Sequence, residues 1–146
     1  MRKFEPLPDE LQPPVNSLEL KAVLVVDDDK QLASALQWIL ADENFLVDIA
    51  YDGQEALLKV RAHEYDAVVC DLMMPRVRGD EFYLKAKELR PNLENRFVFI
   101  TGFAGESGMQ DFLSKYHLKH LAKPFPIQEL INRLKELLAK KAPSGV

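Results

Sequence analysis

The sequence predicts an α/β domain, a doubly wound parallel sheet with helices on both faces. Five short apolar runs alternate with segments whose apolar residues recur at helical spacing. The first and third runs are continuous rather than alternating, which is typical of strands buried on both faces, as parallel strands are. Several runs end abruptly in acidic or hydroxyl residues. In a parallel sheet these residues meet at one edge, where such folds bind their ligands.

The first half of the chain supplies two strands and two helices. The run AVLVVD (22–27) predicts the first strand, and leucines and isoleucines at helical spacing predict a helix over roughly 30–42. FLVDIA (45–50) predicts the second strand. Asp52 then suits the N-cap of a short helix, because Glu55 stands three residues later and can complete a capping box.

The second half of the chain repeats the pattern three times. The predicted strands are DAVVCD (66–71), RFVFIT (96–101) and HLAK (120–123). The predicted helices run from about 80 to 89, from Ser107 onward, and from Pro126, which suits a first helical turn. The last helix has the clearest apolar stripe of the chain.

The composition changes at both ends of this pattern. Residues 1–20 hold four of the nine prolines and no periodic apolar residues, so we expect an irregular or extended arm. Residues 21–140 form the predicted domain, and residues 141–146 a frayed tail. A chain of 146 residues is long enough to bury one substantial core.

Composition and charge exclude several classes of function. The net charge of −4 argues against direct binding to nucleic acid, which favours basic proteins. No apolar stretch is long enough to span a membrane, and the N-terminus lacks a secretory pattern. Cys70 is the only cysteine, which fits a cytoplasmic location, and a buried thiol is a better interpretation of it than a redox sensor.

The polar residues at the strand ends carry the candidate chemistry. Asp27 and Asp28 follow the first strand, and Asp71 follows the third. Three carboxylates at one edge form a hard-oxygen site that suits Mg²⁺. A carboxylate beside such an ion can act as a nucleophile toward phosphorus, with Thr101 and Lys123 supplying a hydroxyl and a cation for the phosphoryl oxygens.

With these motifs in order, residues 21–140 resemble the receiver domain of two-component response regulators. The resemblance rests on VVDDD (25–29), CDLMMPRVRG (70–79), FITG (99–102) and LAKPF (121–125). It implies a flavodoxin-like sheet with strand order 2-1-3-4-5. It implies that Asp71 is the phosphoacceptor, that Thr101 supplies the switch hydroxyl, and that Lys123 supplies the phosphate-binding ammonium. For Mg²⁺, it implies that Asp28 is a direct ligand, that Asp27 acts through bound water, and that Met73 offers its backbone carbonyl. It also implies a cis peptide before Pro124.

The resemblance also implies partners. A histidine kinase or histidine phosphotransfer protein would donate the phosphoryl group, and a downstream protein would bind the surface formed by residues 107–138. We expect a regulatory domain rather than an enzyme, apart from slow self-dephosphorylation, and a monomer or a weak phosphorylation-dependent dimer. The domain could be free-standing or part of a larger hybrid kinase or regulator.

Two alternatives remain at this point. A Mg²⁺-dependent phosphatase of the haloacid-dehalogenase type also uses an Asp nucleophile, but it requires a second Asp where this chain has Met73. A receiver-like domain that only binds a partner would have an incomplete acidic pocket, and the pocket predicted here is complete.

Four positions give more specific hypotheses. Asp29 is interpreted as a helix N-cap or a solvated acid. Trp38 lies off the apolar stripe of its helix, so either a docking partner or the N-terminal arm would cover it. His120 stands where the family usually has a switching aromatic residue, and we hypothesise that its imidazole replaces that ring as the coupling element. Met73 and Phe103, both bulky, would shield a phosphorylated Asp71 from water.

Overall fold

The computed structural model describes residues 20–74, 76–102 and 109–139. The strands are β1 (Lys21–Val26), β2 (Phe45–Ala50), β3 (Ala67–Asp71), β4 (Phe97–Thr101) and β5 (Lys119–Ala122). The helices are α1 (Lys30–Asp42), α2 (Gly53–Ala62), α3 (Gly79–Leu89), α4 (Met109–Lys115) and α5 (Ile127–Ala139), with a 3-10 turn at Pro91–Leu93.

The five strands form one parallel sheet in the order β2-β1-β3-β4-β5. Because every connection is a crossover through a helix, the strands all point the same way and end at one edge. The predicted fold class and strand order are therefore confirmed.

Two apolar cores lie on the two faces of the sheet. Buried residues of α1 and α5 pack on one face, and those of α2, α3 and α4 pack on the other. The second core contains a group of contacting aromatic rings centred on Tyr83 of α3, which is fully buried and joins β4 to α4 through Phe97, Phe99, Phe112 and Tyr116. Edge-to-face contacts of this kind stabilise a core beyond the area they bury.

The helix starts follow from their caps. Asp29 accepts hydrogen bonds from the backbone N–H groups of Gln31 and Leu32, which confirms it as the N-cap of α1. Asp52 accepts the N–H of Glu55, and the Glu55 carboxylate accepts the N–H of Tyr51 just before the cap. This reciprocal pair is the predicted capping box of α2.

The boundaries differ from prediction by about one residue. The last helix begins at Ile127, directly after Pro126, and the third and fourth strands begin one residue later than expected. The predicted start of the fourth helix at Ser107, most of the arm 1–20 and the tail 141–146 lie outside the described residues. None of the helices in the described ranges is long and apolar enough to cross a membrane.

Candidate functional site

The predicted site residues meet at the carboxyl ends of the strands. Asp27 directly follows β1, Asp71 and Thr101 are the last residues of β3 and β4, and Lys123 directly follows β5. The Lys123 N–H donates to the Thr101 carbonyl oxygen at 2.8 Å, which fixes the end of β5 beside β4. Parallel register therefore brings together residues from both ends of the domain.

Three carboxylates form a tight cluster at this edge. One oxygen each from Asp27, Asp28 and Asp71 lies within 4.8 Å of the others, with Asp27 and Asp71 buried and Asp28 exposed. Asp27 Oδ1 accepts the N–H of Asp29 at 2.9 Å, and Asp71 Oδ1 accepts the N–H of Met73 at 3.0 Å. Each buried carboxylate is therefore oriented by a backbone donor two residues further along the chain.

Lys123 lies between the two buried acids. Its Nζ is 3.5 Å from Asp71 Oδ2 and 3.6 Å from Asp27 Oδ2. Burial raises the pKa of Asp27 to about 6, the Asp29 N–H lowers it, and the neighbouring charge of Asp71 raises it further. Burial also raises the pKa of Asp71, against the opposing effects of the Met73 N–H and Lys123. For Lys123 burial lowers the pKa, but Asp71 and Asp27 outweigh it and the net direction is upward.

The carboxylate cluster fits a small divalent cation. Asp27 is only 1% exposed, and its Oδ2 has no hydrogen-bond partner among the described residues, since the Lys123 ammonium is beyond hydrogen-bonding distance. A buried carboxylate oxygen without a donor is costly. A Mg²⁺ ion held by Asp27, Asp28 and Asp71 would satisfy it, because hard oxygen ligands and retained waters are what this ion prefers.

Thr101 and Met73 lie at the same edge of the sheet as the carboxylate cluster. Thr101 is 5% exposed at the end of β4. Met73, two residues after the end of β3, is 44% exposed. The Lys123–Pro124 peptide is cis, as the family resemblance implies. Phe103 lies outside the described residues.

The loop from β3 to α3 is closed by a glycine that cannot be replaced. A Cβ atom on Gly79 would lie 2.6 Å from the Asp71 carbonyl oxygen and 2.7 Å from the Leu72 Cα. The Gly79 N–H also donates to the Leu72 carbonyl oxygen at 2.9 Å. Because these neighbours are backbone atoms that cannot move aside, any side chain here would displace the strand end that carries Asp71.

The same loop carries two arginines that the sequence reasoning passed over. Arg76 has φ of 70°, a left-handed conformation that costs about 1 kcal/mol for a residue with a Cβ. Arg78 occupies the N-cap of α3 and makes no side-chain capping bond, which forgoes about 1 kcal/mol relative to Ser or Asp. The signal that was available is the pair of basic residues within MPRVRG (74–79), which begins three residues after Asp71.

An apolar groove runs beside the pocket on the α1 face of the sheet. It has a volume of about 540 Å³ and is lined by Leu32, Ala35, Leu36 and Ile39 of α1 and by residues 123–127 except Pro126. Trp38, further along α1, is 79% exposed, which confirms that it lies off the core stripe. The predicted coupling residue, His120, is exposed on β5 and lines a different groove with His117 and α4.

Comparisons with known proteins agree with this geometry. The family model described as response regulator receiver domain matches residues 23–135. The response regulator ArlR of Staphylococcus aureus is 32% identical over 124 residues, covering 85% of this chain and 55% of the relative. The chain thus spans about half the length of the curated relatives it matches.

Solved structures show the same fold. A CheY-like receiver domain protein from Methanospirillum hungatei has 29% identity and a TM-score of 0.76, with 82% of this chain and 94% of that chain covered. The response regulator TrrA of Thermotoga maritima, solved in complex with Mg(2+)-BeF, has 29% identity and a TM-score of 0.71, with 82% and 100% covered. Because the family model covers most of the chain and agrees with the strand order and the acidic pocket, this chain belongs to the response regulator receiver domain family.

Proposed function

We propose that Asp71 accepts a phosphoryl group from the phosphohistidine of a histidine kinase or histidine phosphotransfer protein. The observation that carries this proposal is the position of the Asp71 carboxylate, 3.5 Å from the Lys123 ammonium and clustered with two further carboxylates. The family is a regulatory phosphoacceptor module. The carboxylates, hydroxyl and ammonium proposed for this chemistry lie together at the carboxyl edge of the sheet, which supports the proposal.

In the proposed transfer, an Asp71 carboxylate oxygen forms a bond to phosphorus while the phosphorus–nitrogen bond of the donor histidine breaks. The electron pair of that bond leaves with the imidazole, which takes up a proton. Lys123 offsets the charge of the phosphoryl oxygens, and the Thr101 hydroxyl donates a hydrogen bond to one of them. Bound Mg²⁺ supplies additional charge neutralisation, and Asp27, Asp28, Asp71 and the Met73 carbonyl would hold it.

The apolar groove on the α1 face is the proposed docking site of the donor. A donor must bring its histidine to Asp71, and the groove adjoins Lys123, whose ammonium contacts that carboxylate. Its lining by α1 and the β5–α5 connection suits the apolar face of a partner helix. Trp38, exposed on the same helix, would extend this contact, since tryptophan is enriched at interaction hot spots.

Phosphorylation would then change the surface formed by residues 107–138 for a downstream partner. Thr101 and Lys123 both contact or adjoin the pocket, and each is attached to elements of that surface through β4 and β5. A modification shifts such a surface only through interactions that differ between the two states. Phosphorylation of Asp71 would supply that difference. In this structure Lys123 donates a hydrogen bond to the Asp71 carboxylate, and after transfer it would face the phosphoryl oxygens instead.

Incubation with Mg²⁺ and acetyl phosphate, followed by intact-mass measurement, tests the proposal. We expect a gain of one phosphoryl group in the wild type and none in Asp71→Asn, which keeps the size of the side chain. A wild type that gains no mass with Mg²⁺ present would refute the proposal. A phosphatase would instead release phosphate through many turnovers, and Met73 occupies the place of the second acid that such an enzyme requires.

A further inference from the structure

We propose that Arg76 and Arg78 form a cationic rim that attracts the doubly charged phosphoryl group of the incoming donor. The inference rests on the proposed function, because it concerns how the donor approaches Asp71. It assigns a role in donor selection to two residues of the β3–α3 loop that lie outside the carboxylate cluster.

The two guanidinium groups lie on opposite sides of the loop that follows the acceptor. Arg76 Nη1 is 3.3 Å from the carboxylate of Asp52, which caps α2 just after the end of β2. Arg78 Nη2 is 3.7 Å from the sulfur of Met109, the first residue of α4, which follows β4. Because β3 lies between β1 and β4 in the sheet, with β2 beyond β1, the arginines extend to either side of the strand that carries Asp71.

Neither arginine is explained by its local backbone. A left-handed residue is best as Gly or Asn, and an N-cap is best as Ser, Asp or Asn, so the chain holds a less stable residue at both places. The side chains are 69% and 48% exposed, so packing does not repay the cost. Departures of this kind from local preference are concentrated at functional sites.

The pocket needs such charges for its proposed reaction. Its three carboxylates repel a phosphoryl dianion, and the Lys123 ammonium is already engaged with Asp27 and Asp71. Arg78 is bound only weakly, since it contacts Asp80 at 3.4 Å and a thioether, which is a weak acceptor. Arg76 pairs with Asp52 at 3.3 Å from a side chain that is 69% exposed. Exposed ion pairs contribute little, so their donors can exchange to an approaching phosphoryl group. Guanidinium is well suited to that ligand.

The experiment compares two small donors with saturating Mg²⁺ at neutral pH. Acetyl phosphate is a dianion under these conditions, and phosphoramidate is mainly a monoanion. The test variants are Arg78→Ser, whose hydroxyl can cap α3, and Arg76→Asn, which suits the left-handed backbone. We expect each to slow phosphorylation at low acetyl phosphate concentration by about two- to five-fold at low ionic strength, and less with phosphoramidate.

Three further readouts separate this role from a structural one. The difference in phosphorylation rate between the variants and the wild type should disappear at high salt. The variants' rate at saturating donor should stay unchanged, and their unfolding midpoint should not fall. Arg78→Lys, which keeps the charge, should retain most of the wild-type rate. A purified phosphorylated histidine kinase serves as a third donor. If the rim variants are also phosphorylated more slowly by this kinase, the role of the rim extends from free donors to phosphohistidine.

The control for net charge is Arg61→Ser, because Arg61 is exposed near the end of α2, at the opposite edge of the sheet. Equal rates for wild type and both rim variants, or an equal loss in Arg61→Ser, would overturn the inference while leaving the proposed function intact. A loss in Arg78→Lys as large as in Arg78→Ser would overturn it too. A wild type that neither donor phosphorylates would refute the proposed function and this inference together.

Discussion

Replacing Asp27 with Asn should stabilise the metal-free protein, although it damages the metal site. Asp27 is 1% exposed, its Oδ2 lacks a hydrogen-bond donor among the residues that the structure describes, and it lies beside the carboxylate of Asp71. An Asn side chain has nearly the same shape and can still accept the N–H of Asp29. It removes a buried charge, so the folded state no longer carries the cost of desolvating that charge.

The pKa of Asp27 sets the magnitude and the sign of the change in the free energy of unfolding. A rise from 3.8 to about 6 on folding corresponds to at most about 3 kcal/mol at neutral pH. Solvent screening reduces this, and we expect the free energy of unfolding to rise by about 1–2 kcal/mol in Asp27→Asn. Because the folded-state pKa is the higher one, wild-type stability falls as the pH rises through 4 to 6. The advantage of the variant therefore grows over the same range.

Urea unfolding in EDTA at pH 4 and pH 7.5 measures this difference. Asp29→Asn is the matched control: it removes an adjacent exposed acid, and Asn caps a helix as well as Asp does, so stability should change little. Adding Mg²⁺ should stabilise the wild type more than Asp27→Asn, since only a metal bound to the folded state raises its stability. The reasoning is wrong if Asp27→Asn is no more stable than wild type at pH 7.5, or if its advantage is the same at pH 4.

Three further predictions concern single side chains near the pocket or on α1. Met73→Asn should shorten the lifetime of phosphorylated Asp71 by several-fold, because a polar group can orient the attacking water; phosphate release that is no faster than in wild type would exclude shielding by this side chain. Deleting residues 1–18 should leave the emission of Trp38, the only tryptophan, unchanged if this side chain docks a partner, whereas a red shift would show that the arm covers it. Phosphorylation should shift the ring resonances of His120 in NMR spectra, and unchanged resonances would argue against its role in coupling.

The fold was predictable because its signals are local. The central strands β1, β3 and β4 are largely continuous apolar runs, and α1 and α2 begin at acids that cap them through their own side chains. The meeting of Asp27, Asp71, Thr101 and Lys123 followed from a general property of parallel sheets, whose strands end at one edge. Residues far apart in sequence could therefore be placed together without any knowledge of side-chain contacts.

Features that depend on packing across the chain could not be predicted in this way. The apolar groove exists because the connection from β5 to α5 lies against α1, a contact that no periodicity reveals. Asp27 Oδ2 lacks a hydrogen-bond donor among the described residues because the nearest ammonium, Lys123 Nζ, is 3.6 Å away. The left-handed backbone of Arg76 was equally hidden, because arginine is an unusual residue for that conformation.

The placement of Lys123 has a consequence for how the protein matures. Lys123, which carries the ammonium group, directly follows β5, the last strand along the chain, whereas Asp27 directly follows β1, the first. A ribosome-bound chain that has not yet released β5 would lack the cation that we propose offsets the phosphoryl charge. Long-range contacts of this kind also form late in folding, since their loop-closure cost must be met first. Competence to receive a signal would thus coincide with completion of the sheet, so that incomplete chains would not draw phosphoryl groups away from finished ones.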